Sequence, residues 1–583
     1  MRLLCALVLL LSALNGCVGQ PDPADAEISA LAVRVPGFET IALPAGAGQV
    51  EIDAASSITA DMLRGVALDD EPPVVGEPAK PYPANMTDDW PAGTAPYVAG
   101  GIQPFRFRHF TNEFSYGGWH NWAMHDYAST HGFQVVYPYN HKPDDWTHLP
   151  EGTSWLRWGG FVDWRKWLPE HGIEDGRYDL LPAMDVKGEL VKANVFKLDP
   201  GYDQLMIDME HGLLSPDALR KQDWYPADAP EQERADFEKR YYDGYALTYI
   251  APVQAAREAG WRNISIYGWQ PFGRRWFGIE KAEVDPDTDW AWNAFGKAIY
   301  DEVDILNPSV YCFYWSSQNV AYTLANIDLN MRLVNSCDVR KPVRPYYWTL
   351  MHGGGGGWRW WRDQPLSSEE TRAMTAACFF TGCDGLVLWN WSGTGNHHRP
   401  GKLAKDVDLM VGIPFELAPE GSDQPRRFAR YEVLHVLDVS EDGTVRFQRV
   451  ERDKPAENYG IRDDRPLFSM SGEALNPYLR CASEPVAAMV EGLALAKCVE
   501  YCLRNGEVKI DIPAQLQFKE TLPIVRRVKT GPYHIVLTYD QDWAAQEGPR
   551  RIALEDFDGV PGRRVTFPAD AQTRLFVLRD AAD

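Results

Sequence analysis

Two carboxylates one residue apart close an apolar run at Leu205-Met206-Ile207-Asp208-Met209-Glu210, and a glycine follows at Gly212. Side chains alternate across a β-strand, so a strand here presents Asp208 and Glu210 on one face, with Cα atoms roughly 6.5–7 Å apart. Two acids so placed at the polar end of a strand suit proton donation and charge stabilisation in one reaction. The spacing alone is weak evidence, because 82 acidic residues in 583 produce acid-x-acid pairs on the order of ten times by chance. What raises this pair is the company it keeps. Tyr267, Tyr311, Trp348, Trp389 and Asn390 end other strand-like runs, and flat rings converging on two acids describe a sugar pocket.

Those residues need a frame that brings strand ends together. Apolar or aromatic strand-like runs near 134–139, 205–209, 264–268, 308–311, 345–349 and 385–389 alternate with helical stretches near 230–260, 289–303, 320–336 and 367–380. The stretch 230–260 carries Phe237, Tyr241, Tyr245 and Tyr249 on a four-residue rhythm, which gives a helix one buried face. Pro252 inside it predicts a kink or a break. Ser367 with Glu370 predicts a capping box. So many strand–helix units favour a (β/α)8-type TIM barrel over an open sheet, with working residues at the C-terminal ends of the strands. The expected order is a signal peptide with lipobox over 1–17, a tether and small β-rich lead-in over 18–97, the barrel over 98–415, and a C-terminal β-rich, sandwich-like domain over 425–583. A helical insert near 484–503 interrupts that last domain.

Composition narrows the partners. A formal net charge of −24 argues against a nucleic-acid binder, which needs a basic face. The 22 tryptophans and 12% aromatic content suit carbohydrate. Arg2 precedes an apolar run over 3–14, too short to span a bilayer and the length of a signal h-region. Leu14-Asn15-Gly16-Cys17 then resembles a lipobox, which predicts acylation of Cys17 and membrane contact through the lipid alone. The expected location is outer-membrane or cell-surface lipoprotein, or secreted. Seven cysteines remain in the folded part, so at least one thiol stays free. No dinucleotide or phosphate-loop fingerprint follows a strand, and His397-His398 lacks a carboxylate at ligand spacing, so neither cofactor nor metal is expected.

Ile207-Asp208-Met209-Glu210, Phe237-Glu238, Ile264-Ser265-Ile266-Tyr267-Gly268-Trp269, Asn307-Pro308-Ser309-Val310-Tyr311, Arg344 to Thr349 and Gly382 to Trp389 fall in an order and spacing that resemble the hyaluronidase family of glycoside hydrolases. The likeness spans about a third of the chain. It implies an endo-acting, retaining hydrolase of acidic or amino-sugar polysaccharide, in which the substrate's own 2-acetamido oxygen attacks the anomeric carbon. In that scheme Glu210 is the general acid/base, Asp208 orients and polarises the acetamido group, and Tyr311 stands beside the reacting sugar. Trp389 floors the pocket, and Tyr267, Trp269, Trp348 and Asn390 line it. A charged Asp208 is expected to raise the Glu210 pKa. The glycine run 353–357, followed by Trp358-Arg359-Trp360-Trp361-Arg362, suggests a lid whose Arg359 meets carboxylate or sulfate; Arg274 and Arg275 would extend the cationic patch. Two rivals stay open. One is a retaining or inverting glycosidase on a sulfated or neutral glycan, with its second carboxylate from Glu280, Asp163 or Asp384. The other is a glycan-binding lipoprotein without catalysis.

Overall fold

The computed structural model describes residues 22–70, 101–116, 122–138, 152–198, 201–210, 212–268, 273, 276–279, 286–314, 316–352, 364–390, 403–450, 465–480, 484–545 and 548–581. Eight short parallel strands form its centre: β1 (Glu113–Tyr116), β2 (Gln134–Pro138), β3 (Ser154–Gly159), β4 (Gln204–Ile207), β5 (Ile264–Gly268), β6 (Ile305–Pro308), β7 (Tyr346–Tyr347) and β8 (Val387–Asn390). Each pairs with the next, and β8 returns to β1. The seam between β6 and β7 is joined by the parallel bridges Leu306–Val343 and Ser309–Tyr346, with Val310 N–H donating to the Tyr346 carbonyl at 3.0 Å. The frame is a TIM barrel.

Alternation along these strands sorts side chains into two cores. Leu205, Ile207, Ile264, Ile266, Leu306 and Leu388 face out against the helices. Val136, Leu156, Met206, Tyr267, Tyr311, Tyr346, Val387 and Trp389 fill the interior. Because Met206 faces in, Asp208 and Glu210 inherit the same parity beyond the strand end.

The long helix α1 (Glu231–Glu258) covers this side of the barrel with Phe237, Tyr241, Tyr245 and Tyr249 buried. It runs unbroken through Pro252, which lies on the buried face where packing holds the helix despite the missing donor. Gly244 lets the 178–183 turn lie directly on it; a Cβ there would come within 1.8 Å of the Tyr178 carbonyl oxygen. Helix α2 (Asn319–Asn335) follows β6. Helix α3 (Ser368–Phe379) follows β7 and opens with the capping box of Ser367 and Glu370.

The C-terminal region is β-rich. Strands Asp408–Met410, Val433–Val439, Thr444–Arg449 and Phe468–Ser471 form an antiparallel sheet with its own core around Phe428, Phe447 and Phe468. Helix α4 (Glu484–Lys497) then packs on α3, where Glu491 takes both Arg372 and Arg64. Beyond it a five-stranded and a three-stranded sheet enclose Val525, Val536, Val565, Phe567 and Phe576. Each gains an edge strand from the start of the chain: Ile41–Ala42 pairs in parallel with Arg574–Arg579, and Gly48–Glu51 with Arg563–Ala569. Cys312, Cys337, Cys378, Cys383, Cys498 and Cys502 are all free thiols; Cys481 lies outside the described residues. Among the described residues no helix is long and apolar enough to cross a membrane.

Candidate active site

The end of β4 is fixed from three sides. Asp208 N–H donates to the Gly159 carbonyl of β3 at 3.0 Å, the Tyr249 hydroxyl donates from α1 to the Met209 carbonyl at 3.1 Å, and the Trp164 indole N–H reaches the Met209 sulfur at 3.1 Å. The aromatic stripe of α1 thus ends by holding the backbone between the two acids.

Asp208 is the deeper of the pair. Its carboxylate accepts from the Trp158 indole, and among the described residues its buried Oδ1 has no hydrogen-bond partner. Burial, then the charge of Glu210, pushes this carboxyl up to about 7. Glu210 keeps more than a third of its surface open to solvent, and burial of the remainder carries its carboxyl above the usual range. The expected electrostatics are therefore reversed: the larger push falls on Asp208. The charge of Glu210 bears on Asp208, and both carboxyls hold a proton more tightly than a free carboxylate does.

Around the acids runs a chain of rings. Trp158 lies 5.2 Å from Trp389, Trp389 6.0 Å from Tyr346, Tyr346 5.5 Å from Tyr267, Tyr267 5.8 Å from Tyr311, and Tyr311 5.5 Å from Trp348. His352 stacks on Tyr311 at 5.3 Å and meets Trp348 edge-on at 4.9 Å. The Tyr267 hydroxyl sits 2.8 Å from Ser309 Oγ. Burial, followed by charges that include Asp208, raises the phenols of Tyr267, Tyr311 and Tyr346, which puts all three within electrostatic reach of that carboxylate.

The barrel therefore gathers Asp208, Glu210, Tyr267, Tyr311, Trp348 and Trp389 at one mouth. Asn390 ends β8, with its side chain outside the described residues. Cys17, Trp269, Arg274, Arg275, Glu280, the glycine run with Arg359 and Arg362, and His397-His398 also lie outside them. Asp384 belongs to the opposite end, before β8, where Arg340 and Arg504 hold it at 2.8 and 2.5 Å; it cannot serve as a second carboxylate in the pocket. Asp163 starts the helix Trp164–Glu170 and pairs with Lys166 at 3.3 Å, more than half exposed. Sequence reasoning passed over Trp158, Ser309, Tyr346 and His352. For Tyr346 the signal existed, because it shares the inward parity of Trp348 two residues on.

Elsewhere, His534, Asp558 and Asp580 cluster at ligand distance in the C-terminal region. Arg527, Lys529 and Arg563 already pair with these groups. With Asp511 on Arg527, three cations balance three carboxylates and leave no negative charge for a divalent ion, so this is an ion network.

No protein-family model matches the chain, and no curated protein matches it. Among solved structures it is similar to bee venom hyaluronidase in complex with a hyaluronic acid tetramer, at 16% identity and a TM-score of 0.31, over 48% of this chain and 91% of that one. It is also similar to an α-amylase from Anoxybacillus, at 10% identity and 0.28, over 79% of each chain, and to the acarbose-bound α-amylase of Geobacillus thermoleovorans, at 10% and 0.25, over 93% and 96%. At these scores the likenesses carry no argument about activity, which rests on the geometry above.

Proposed function

We propose that this protein is a glycoside hydrolase that cuts within an acidic or amino-sugar polysaccharide, with retention, using the substrate's 2-acetamido group as nucleophile. The supporting observation is the buried Oδ1 of Asp208, without a partner among the described residues, beside a more open Glu210 and inside a wall of aromatic rings. An acetamido N–H seated on that oxygen supplies a donor and lowers the affinity of Asp208 for a proton, so that Asp208 faces the substrate ionised while Glu210 carries the proton to be donated. Glu210 gives that proton to the glycosidic oxygen as the bond to the anomeric carbon breaks and the acetamido oxygen closes on the carbon. Water, deprotonated by Glu210, then opens the resulting ring. Tyr311 donates to the acetamido oxygen and aims it at the anomeric carbon, and Trp158 and Trp389 carry the apolar faces of the sugars.

Export and acylation at Cys17 belong to the same proposal and rest on residues 2–17; the mass of the mature amino terminus checks them. The activity is tested by incubating wild type and Glu210→Gln with hyaluronan, chondroitin, chitin and sulfated algal glycans and measuring product size. The expected result is shortening of an amino-sugar polymer by wild type and a loss of about 10³-fold in the variant, with binding retained. Equal cleavage by both proteins would remove Glu210 from the reaction, and binding without cleavage by either would leave a glycan-binding role.

A further inference from the structure

We infer that His352 determines specificity: its imidazole supplies the positive charge that meets the carboxylate of an acidic sugar held beside the reacting one. The inference rests on the reading of the site given above and names the group that tells an acidic polymer from a neutral one. His352 lies just beyond β7, on a stretch of backbone held from both sides. Its own N–H donates to the Cys312 carbonyl at 2.7 Å, next to Tyr311, while Met351 N–H donates to the Gln364 carbonyl and Leu366 N–H to the Thr349 carbonyl, each at 2.9 Å. The imidazole stacks on the Tyr311 ring, with centroids 5.3 Å apart and planes 16° from parallel. Trp348 meets it edge-on at 4.9 Å, and Phe313 at the same distance with a tilt of 58°. Tyr311 fills the barrel interior, and Phe313 and Trp348 pack against that interior cluster. Contact with all three rings puts the imidazole on the pocket side of the wall, where it is only partly buried.

The mouth otherwise offers hydroxyls, rings and two acids. Among the described residues gathered there, His352 alone can carry a positive charge. A sugar carboxylate entering this mouth is repelled by an ionised Asp208, so an acidic polymer needs a cation to offset that charge. Histidine suits the task, because it titrates near neutral pH and a carboxylate brought against it favours its charged form. The face of Tyr311 receives an imidazolium as well as an imidazole, through the attraction of a cation to a ring. Three ring contacts also fix the imidazole before substrate arrives, so little side-chain freedom is lost on binding. Tyr311 stands beside the reacting sugar, and His352 is one ring on from it. In a polymer that alternates amino sugar with uronate, the neighbouring sugar is the one that bears the carboxylate. A neutral sugar in that place gains nothing from the charge.

The test compares hyaluronan with the same polymer after its carboxyl groups are reduced to alcohols, using wild type, His352→Phe and His352→Arg. The Phe variant keeps a flat ring among Tyr311, Phe313 and Trp348 and removes the charge; the Arg variant keeps the charge. Preference for the acidic polymer, read as the ratio of the two kcat/KM values, should fall ~10-fold in His352→Phe and survive in His352→Arg. An unchanged ratio in His352→Phe, whatever the loss on both polymers together, would leave the ring a packing role and overturn the inference. A ratio that falls equally in His352→Arg would do the same, because charge would then not be what is read. Binding of the two polymers, measured by calorimetry on the same proteins, needs no turnover. If wild type cuts neither polymer, the proposed activity fails, while a preference for binding the acidic form that His352→Phe loses still upholds the role of His352. Wild type that binds both forms alike would overturn it.

Discussion

The two ends of the barrel use the same residue types in opposite ways. At the floor, below the strands, every carboxylate described above has a cation. Glu113 pairs with Arg344 at 2.6 Å, and Asp384 with Arg340 and Arg504. Burial pushes the Asp384 carboxyl up, but the two guanidiniums and the Val343 N–H together hold it below the usual range. At the mouth, among the described residues, Asp208 and Glu210 have each other, an indole and a set of phenols, and burial drives both upward. A carboxylate matched to a cation stiffens a fold; one left without a cation keeps a proton it can give away. The cation partner, rather than burial or the direction of the shift, marks the floor acids, since burial raises the Glu113 carboxyl even beside Arg344 and Asp384 is buried while Asp208 is only partly so.

Substitutions at the two ends should therefore fail differently. After the about 10³-fold loss expected for Glu210→Gln, the next largest effect is expected from Asp208→Asn at the mouth, which removes the charge facing the acetamido group: kcat should fall by about 10²-fold while the protein stays folded. A kcat near wild type would place Asp208 with the floor acids. Asp384→Asn should do the reverse, leaving Arg340 and Arg504 short of their partner. A loss of about 2–3 kcal/mol in denaturant unfolding is expected, with kcat of the folded protein unchanged; an activity loss without a stability loss would erase the distinction. The smallest effect is a gain in stability for Asp208→Asn. The folded-state pKa of Asp208 is raised to about 7 from an ordinary 3.8, so the folded protein holds the proton more tightly, and ionising the group costs stability as pH rises through 7. The Asn variant should unfold later than wild type at pH 8, by about 1–2 kcal/mol after discounting for partial exposure, and the gap should narrow toward pH 4. A gap that widens on acidification would contradict the raised pKa.

Much of this division was legible in the sequence, and the misses have physical causes. Six of the eight barrel strands announce themselves as apolar runs, although the sixth was placed at 308–311 where the strand is Ile305–Pro308. The other two, Glu113–Tyr116 and Ser154–Gly159, hide because Glu113, Arg157 and two tryptophans break the pattern. Missing β3 meant missing Trp158, which touches both Asp208 and Trp389. Parity placed Asp208 and Glu210 on one face, but which of them sits deeper depends on how β4 registers against Gly159 of β3, and no local pattern carries that. Ser309 was equally invisible, since its meaning comes from a hydroxyl on the neighbouring strand.

The most direct test of the central claim is the anomeric form of the first product. Wild-type protein is mixed with a β-linked amino-sugar polymer, and the new reducing end is followed by proton NMR before mutarotation equilibrates it. Attack by the acetamido oxygen followed by water predicts the β-anomer first. An α-anomer first would require direct attack by water, and an unsaturated uronate would mean elimination; either would contradict a reaction run by Asp208 and Glu210 through the substrate's own acetamido group.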